Sequence, residues 1–169
     1  MLSSSSQVRV RSARVSDAKA LAEVFEQSWR HAYVGILPGT QLESLILRRG
    51  RRWWSQSIRS GDHFIVLEVN GNLCGYASCG PARQRCSYQG EIYEIYLAPA
   101  YQGLGFGELL FEACRNALDD RNLRGLIVWA LAANDGAVSF YWRRGGRPVA
   151  EVVEKVGTAK LPKLGFGWP

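Results

Sequence analysis

A strand, a glycine-rich turn and a helix follow one another between residues 91 and 118, and this order constrains the chain more than any other feature. Glu91-Ile92-Tyr93-Glu94-Ile95-Tyr96-Leu97 reads as the strand. The turn is Tyr101-Gln102-Gly103-Leu104-Gly105-Phe106-Gly107-Glu108, and the apolar helix side is Leu109, Leu110, Phe111, Ala113, Cys114, Ala117 and Leu118. The first N–H groups of a helix lack intrahelical partners and the helix dipole is positive there, so the junction is an anion cradle. Glycines let the backbone come close to a bulky anion and take positive φ. A diphosphate suits such a cradle. The dinucleotide fingerprint does not fit: the glycines alternate, and Asp119 and Asp120 stand on the helix rather than at the tip of a second strand. No Gly-Lys-Ser/Thr follows, so the loop is not a Walker A loop.

The 169 residues suffice for one domain with a sizeable core. Hydrophobic residues at 47% and charged residues at 21% fit a soluble globular chain. No apolar run reaches the roughly 18 residues of a membrane span. Met1-Leu2-Ser3-Ser4-Ser5-Ser6 lacks the basic and apolar regions of a secretory signal, so a frayed tail and a cytoplasmic location are expected. Cys74, Cys79, Cys86 and Cys114 show no paired spacing and no histidine at zinc spacing, which predicts free thiols and no metal. The net charge of +6 and the run Arg48-Arg49-Gly50-Arg51-Arg52 beside Trp53 and Trp54 raise a nucleic-acid reading. The run falls within a helical pattern, however, in which the tryptophans pack inward and the arginines face water.

Along the chain, Val8–Arg11 alternates as a strand, and Ser16 or Asp17 caps a helix through Leu21, Val24, Phe25 and Trp29. Gln41–Arg59 reads as helical with a bend at Gly50. Phe64–Val69 and Leu73–Ser78 form a hairpin about Asn70-Gly71. After the glycine loop and its helix, Leu126–Ala130 reads as a central strand, Ala137–Arg144 as a helix and Val149–Val156 as a strand. The expected divisions are a tail at 1–6, one α/β domain at 7–160 and a Gly- and Pro-rich tail at 161–169.

On this order, Gln102-x-x-Gly105-x-Gly107 resembles the acetyl-CoA motif of the GNAT superfamily of N-acetyltransferases. Residues 91–101 resemble the strand and turn that precede it there, and Asn134, Ala137 and Phe140-Tyr141 the second cofactor segment. The resemblance implies a mixed, mostly antiparallel twisted sheet of about six or seven strands with about four helices, and a splayed strand pair at the cofactor. It implies acetyl-CoA as co-substrate and direct attack by a primary amine in a ternary complex. Ile95, Tyr96 and Leu97 would bind the pantetheine arm and the thioester carbonyl from a bulged strand, and Gln102, Gly103, Leu104, Gly105, Phe106 and Gly107 the diphosphate. Asn134 would meet the pantetheine arm or cap the next helix. Tyr141 stands at the general-acid position; a phenol of pKa about 10 can protonate a thiolate of conjugate pKa about 8.5. Glu91 stands where a general base is often found. Strand alternation puts Glu91, Tyr93, Ile95 and Leu97 on one face, up to any bulge, and Glu94 on the other. Gly146 departs from the family, which commonly has Phe there.

The acceptor is a small-molecule or peptide amine, with Trp29, Tyr33 and Tyr93 as its expected contacts, and Glu91 and Glu94 favouring a cationic amine. His31 and His63 are read as surface residues. A homodimer is the expected assembly, with no membrane or nucleic-acid partner. Two alternatives remain: a non-catalytic acyl-CoA sensor, and a nucleic-acid module using Arg48–Arg52.

Overall fold

The computed structural model describes residues 6–169. The expected N-terminal tail thus lies, but for Ser6, outside the described residues. The strands are β1 (Val8–Ser12), β2 (Ile65–Val69), β3 (Asn72–Pro81), β4 (Gly90–Leu97), β5 (Leu126–Leu131), β6 (Arg147–Val156) and β7 (Ala159–Trp168). The helices are α1 (Ala18–Tyr33), α2 (Gly39–Arg48), α3 (Arg51–Arg59), α4 (Phe106–Asp120) and α5 (Asp135–Arg143). The seven strands form one sheet in the order β1-β2-β3-β4-β5-β7-β6. Every neighbouring pair is antiparallel except β4 and β5.

Period-two alternation sends successive residues to opposite faces. On β2 and β3, Val66 and Tyr76 join Leu21, Phe25 and Trp54 under α1 and α3, while Ile65, Leu67 and Ala77 join Leu110, Phe111, Cys114 and Leu118 of α4. The Asn70-Gly71 turn has positive φ at both residues (52° and 81°), as a tight two-residue hairpin requires. The helical stretch expected over Gln41–Arg59 breaks at Gly50 into α2 and α3. Trp54 is fully buried, with ring centroids 4.9 Å from Phe64 and 5.0 Å from Tyr76. Trp54→Ala should therefore cost about 3–5 kcal/mol, read as a lowered urea midpoint. An unchanged midpoint would mean that this core is dispensable.

Two expectations are corrected. Residues 161–169 are no tail: β7 runs to Trp168, pairs with both β5 and β6, and buries Phe166 completely. Its glycines mark close approach rather than a loop, since a Cβ at Gly165 would lie 3.1 Å from the Trp129 ring. Nor do all the arginines of the basic run face water. Arg49 turns inward, with its guanidinium 4.3 Å from the Phe25 ring centroid and 4.2 Å from that of Trp53. Trp54 lies in the core, which leaves Trp53 as the partly exposed tryptophan of the pair. Gly146, where the family commonly has Phe, makes room for the Trp168 indole, which any Cβ there would overlap.

Candidate active site

The site starts from a misfit in the sheet. On β3, Ser78 pairs with Glu94 and Cys79 with Ile92, which leaves Tyr93 as an extra residue on β4. Such a bulge bends and twists its strand. On its other side, β4 pairs with β5 only from Gly90 to Ile92, against Leu126 to Val128. Beyond that the two strands part, and β5 stays paired with β7 through Leu131. Backbone groups on one edge of Tyr93–Leu97 thus face an opening rather than a neighbouring strand.

The bulge also corrects the expected facing of β4. Ile92, Ile95 and Leu97 pack with the α4 core and Tyr96 with the α1 and α3 core. Glu91 and Glu94 come into the same cleft instead of opposite faces.

One cleft, of about 840 Å3, lies beside the glycine loop. Its walls include Ile95, Tyr96, Leu97, Gln102, Gly103, Gly105, Gly107, Asn134 and Tyr141. Gly103 and Gly105 have φ of 76° and 86°, and a Cβ on either would meet nothing within 4 Å, so the loop's outer side is open. Gly105 is the N-cap of α4 and supplies no side-chain cap, which leaves first-turn N–H groups for an anion. Gly107 is needed for another reason: a Cβ there would come within 2.9 Å of Phe140. The Gln102 side chain donates to the Leu97 carbonyl at 3.1 Å, locking the turn to the end of β4. An open cradle of this kind fits the diphosphate of acetyl-CoA. Leu104 is 65% exposed and Phe106 packs against Tyr101, and neither residue lines the cleft.

Asn134 caps α5 by accepting from the Ala137 N–H at 3.3 Å. The helix carries Tyr141 inward against Phe166 and Trp168. Its hydroxyl makes no hydrogen bond among the described residues, and burial pushes its pKa well above the ordinary phenol value.

A second cleft, of about 920 Å3, includes Trp29, Tyr33, Tyr93, Glu91 and Glu94. The Tyr33 and Tyr96 hydroxyls lie 2.5 Å apart, and Tyr96 lines both clefts. Glu91 is buried and holds Arg83 by three contacts: the backbone N–H at 3.0 Å, Nε at 3.0 Å and Nη2 at 2.6 Å. Glu94 takes Arg49 Nη1 at 2.5 Å and Nη2 at 3.1 Å, and the Tyr76 hydroxyl at 3.3 Å. The Tyr93 hydroxyl donates to the Pro81 carbonyl at 2.5 Å. His31 and His63 are exposed but stand at the rims of the first and second clefts respectively.

Sequence reasoning missed Arg143 and Arg144 at the first cleft, and Trp129, Arg121 and Lys155 at the second. No spacing signals these side chains, which the sheet order brings together. Among the described residues no helix is long and apolar enough to cross a membrane, no cluster suits a metal, and the four cysteines are free. Cys86 is exposed, whereas Cys74 and Cys114 are buried.

The sequence profile of the acetyltransferase (GNAT) family matches residues 21–146. The chain is 32% identical over 164 residues to the uncharacterized N-acetyltransferase YuaI of Bacillus subtilis, covering 96% of this chain and 93% of that one. It is 21% identical to the spermidine N(1)-acetyltransferase of Thermoplasma acidophilum, covering 82% and 87%. Among solved structures it resembles yncA of Salmonella typhimurium, a putative acetyltransferase solved with its cofactor acetyl-CoA: TM-score 0.68, 21% identity, 95% of this chain and 92% of that one. A profile match across most of the chain and a relative aligned along nearly all of it assign this protein to the GNAT family of acetyltransferases.

Proposed function

We propose that the chain transfers the acetyl group of acetyl-CoA to the primary amine of a small molecule or peptide, by direct attack with both substrates bound. The observation that carries this reading is the parting of β4 from β5 beyond Ile92, with one cleft lined by Ile95–Leu97, another by Glu91–Glu94, and Tyr96 in the wall of both. A donor in one cleft and an acceptor in the other would meet there without a covalent enzyme intermediate.

Each residue then has a role. The loop N–H groups from Gly103 to Gly107, with Gln102 beside them, hold the diphosphate. The free edge of β4 at Ile95–Leu97 holds the pantetheine arm and directs an N–H at the oxygen that gains charge as the amine adds. Asn134 supports the same arm while it caps α5. As the new C–N bond forms and the C–S bond breaks, Tyr141 gives its proton to the departing sulfur. Trp29, Tyr33 and Tyr93 wall the acceptor. Glu91 receives the ammonium proton through intervening water, and only when Arg83, which is 61% exposed at its side chain, releases one carboxylate oxygen.

Calorimetric titration with acetyl-CoA, followed by thiol release against an amine panel, tests this. Initial-rate lines that intersect when both substrates are varied are expected. Parallel lines would replace direct attack by an acetyl-enzyme route. Tight binding with no thiol release from any amine would favour the acyl-CoA sensor.

A further inference from the structure

The acidic side chains of the acceptor cleft suggest a cationic substrate only until their partners are counted. Glu91 is held by Arg83 and Glu94 by Arg49, while Glu154 lies 3.6 Å from Lys163. Asp62 accepts the Ser57 hydroxyl at 2.6 Å. Against these four acids the cleft presents six basic side chains. Arg48, Arg121 and Lys155 have no carboxylate within 4 Å among the described residues. Once paired, the acids leave a cleft whose lining is net positive, which weighs against a cationic acceptor.

The excess charge has a focus. The Arg83 guanidinium stacks 4.4 Å from the Tyr93 ring centroid. Arg121 reaches the same ring from the end of α4: a Cβ added at Gly80 would lie 2.7 Å from the Tyr93 hydroxyl and 3.3 Å from Arg121 Nη1. Two guanidiniums thus stand near one tyrosine, and of the two only Arg83 is paired with a carboxylate, Glu91. Arginine presents a planar fork of donors that matches a carboxylate. Arg83 spends Nε and Nη2 on Glu91 and keeps Nη1 free.

We propose that Arg83 and Arg121 form an anionic subsite of the acceptor cleft, so that the acceptor is an amine bearing a carboxylate several bonds away, such as a short peptide or a long ω-amino acid. This rests on the amine reacting near Ile95–Leu97. At roughly 3.3 Å per strand residue, those positions lie about 7–13 Å from Tyr93. An α-amino acid is too short to reach both points, whereas an extended di- or tripeptide spans the gap. Trp29, Trp129 and Tyr93 are aromatic walls of the same cleft.

Thiol release from acetyl-CoA is measured with glycine, diglycine and triglycine, with triglycinamide, and with a diamine of matched length. The subsite predicts kcat/KM rising from glycine to triglycine and at least tenfold lower for triglycinamide. Arg121→Gln, an exposed change at a helix end, should shrink the triglycine-over-amide ratio at least fivefold with acetyl-CoA affinity unchanged. Amide or diamine turnover equal to that of triglycine, or an unchanged ratio in Arg121→Gln, overturns the subsite and leaves acetyl transfer standing. Should no amine release thiol, the transfer reading fails instead. Titration of triglycine and its amide into CoA-saturated protein then decides the subsite, and equal or absent binding of the two overturns it.

Discussion

Gly105→Glu should weaken acetyl-CoA binding at least a hundredfold, about 2.7 kcal/mol, as read by calorimetry. Two effects act together. Gly105 has φ of 86°, where a side chain costs about 1–2 kcal/mol of backbone strain. A carboxylate placed there also projects into the anion cradle at the start of α4, where it competes with the diphosphate for the same N–H groups. Since a Cβ at this position meets nothing within 4 Å, the variant has no clash to unfold it. Gly105→Ala separates the two effects, because it carries the strain without the charge and should lose far less affinity. Retained binding in Gly105→Glu would move the diphosphate off this loop.

The second large effect is expected at the opposite wall of the same cleft. Tyr141→Phe should lower kcat at least tenfold, about 1.4 kcal/mol of barrier, with acetyl-CoA affinity little changed. The hydroxyl makes no protein hydrogen bond among the described residues, and the ring contacts with Phe166 and Trp168 survive the change, so the fold should be indifferent to it. Unchanged kcat would remove Tyr141 from the reaction. The pH dependence has a definite sign. Burial raises the Tyr141 pKa above the ordinary value of about 10, so the phenol keeps its proton across the alkaline range. Wild-type kcat should therefore show no fall from this group up to about pH 10. A Tyr141-dependent fall below that pH, one abolished in the phenylalanine variant, would mean that the phenol is not the buried acid of the reacting complex.

What the sequence could disclose was mostly local. Asn70-Gly71 announces its hairpin because a two-residue turn with positive φ leaves few alternatives, and the alternating glycines before α4 announce an anion cradle for the same kind of reason. The bulge at Tyr93 is different in kind. It exists only in the pairing of β4 with β3, and no residue type in Glu91–Leu97 marks which position is left over. That one extra residue brings Glu91 and Glu94 into one cleft. The charge balance was illegible for a related reason: the partners of these acids, Arg83 and Arg49, are 8 and 45 residues away, so their neutralisation is a property of the fold. Strand β7 was hidden by its glycines, whose task is to let the Trp129 ring and the tip of Tyr88 approach the strand closely. Trp168 was hidden with it, although it fills the space that Gly146 vacates.

The place of β7 between β5 and β6 bears on how the protein is made. Synthesis runs from the N-terminus, so β1 to β6 emerge while the far edge of β5 still has no partner. For that interval Leu126–Leu131, an apolar run, presents unsatisfied backbone groups to anything nearby, which is the condition for aggregation. The wall behind Tyr141 is equally late, because Phe166 and Trp168 complete it. Catalytic competence would then arrive in one step with closure of the sheet rather than growing with chain length, and a nascent chain stalled before residue 159 would be a hazard to its neighbours rather than a weak enzyme.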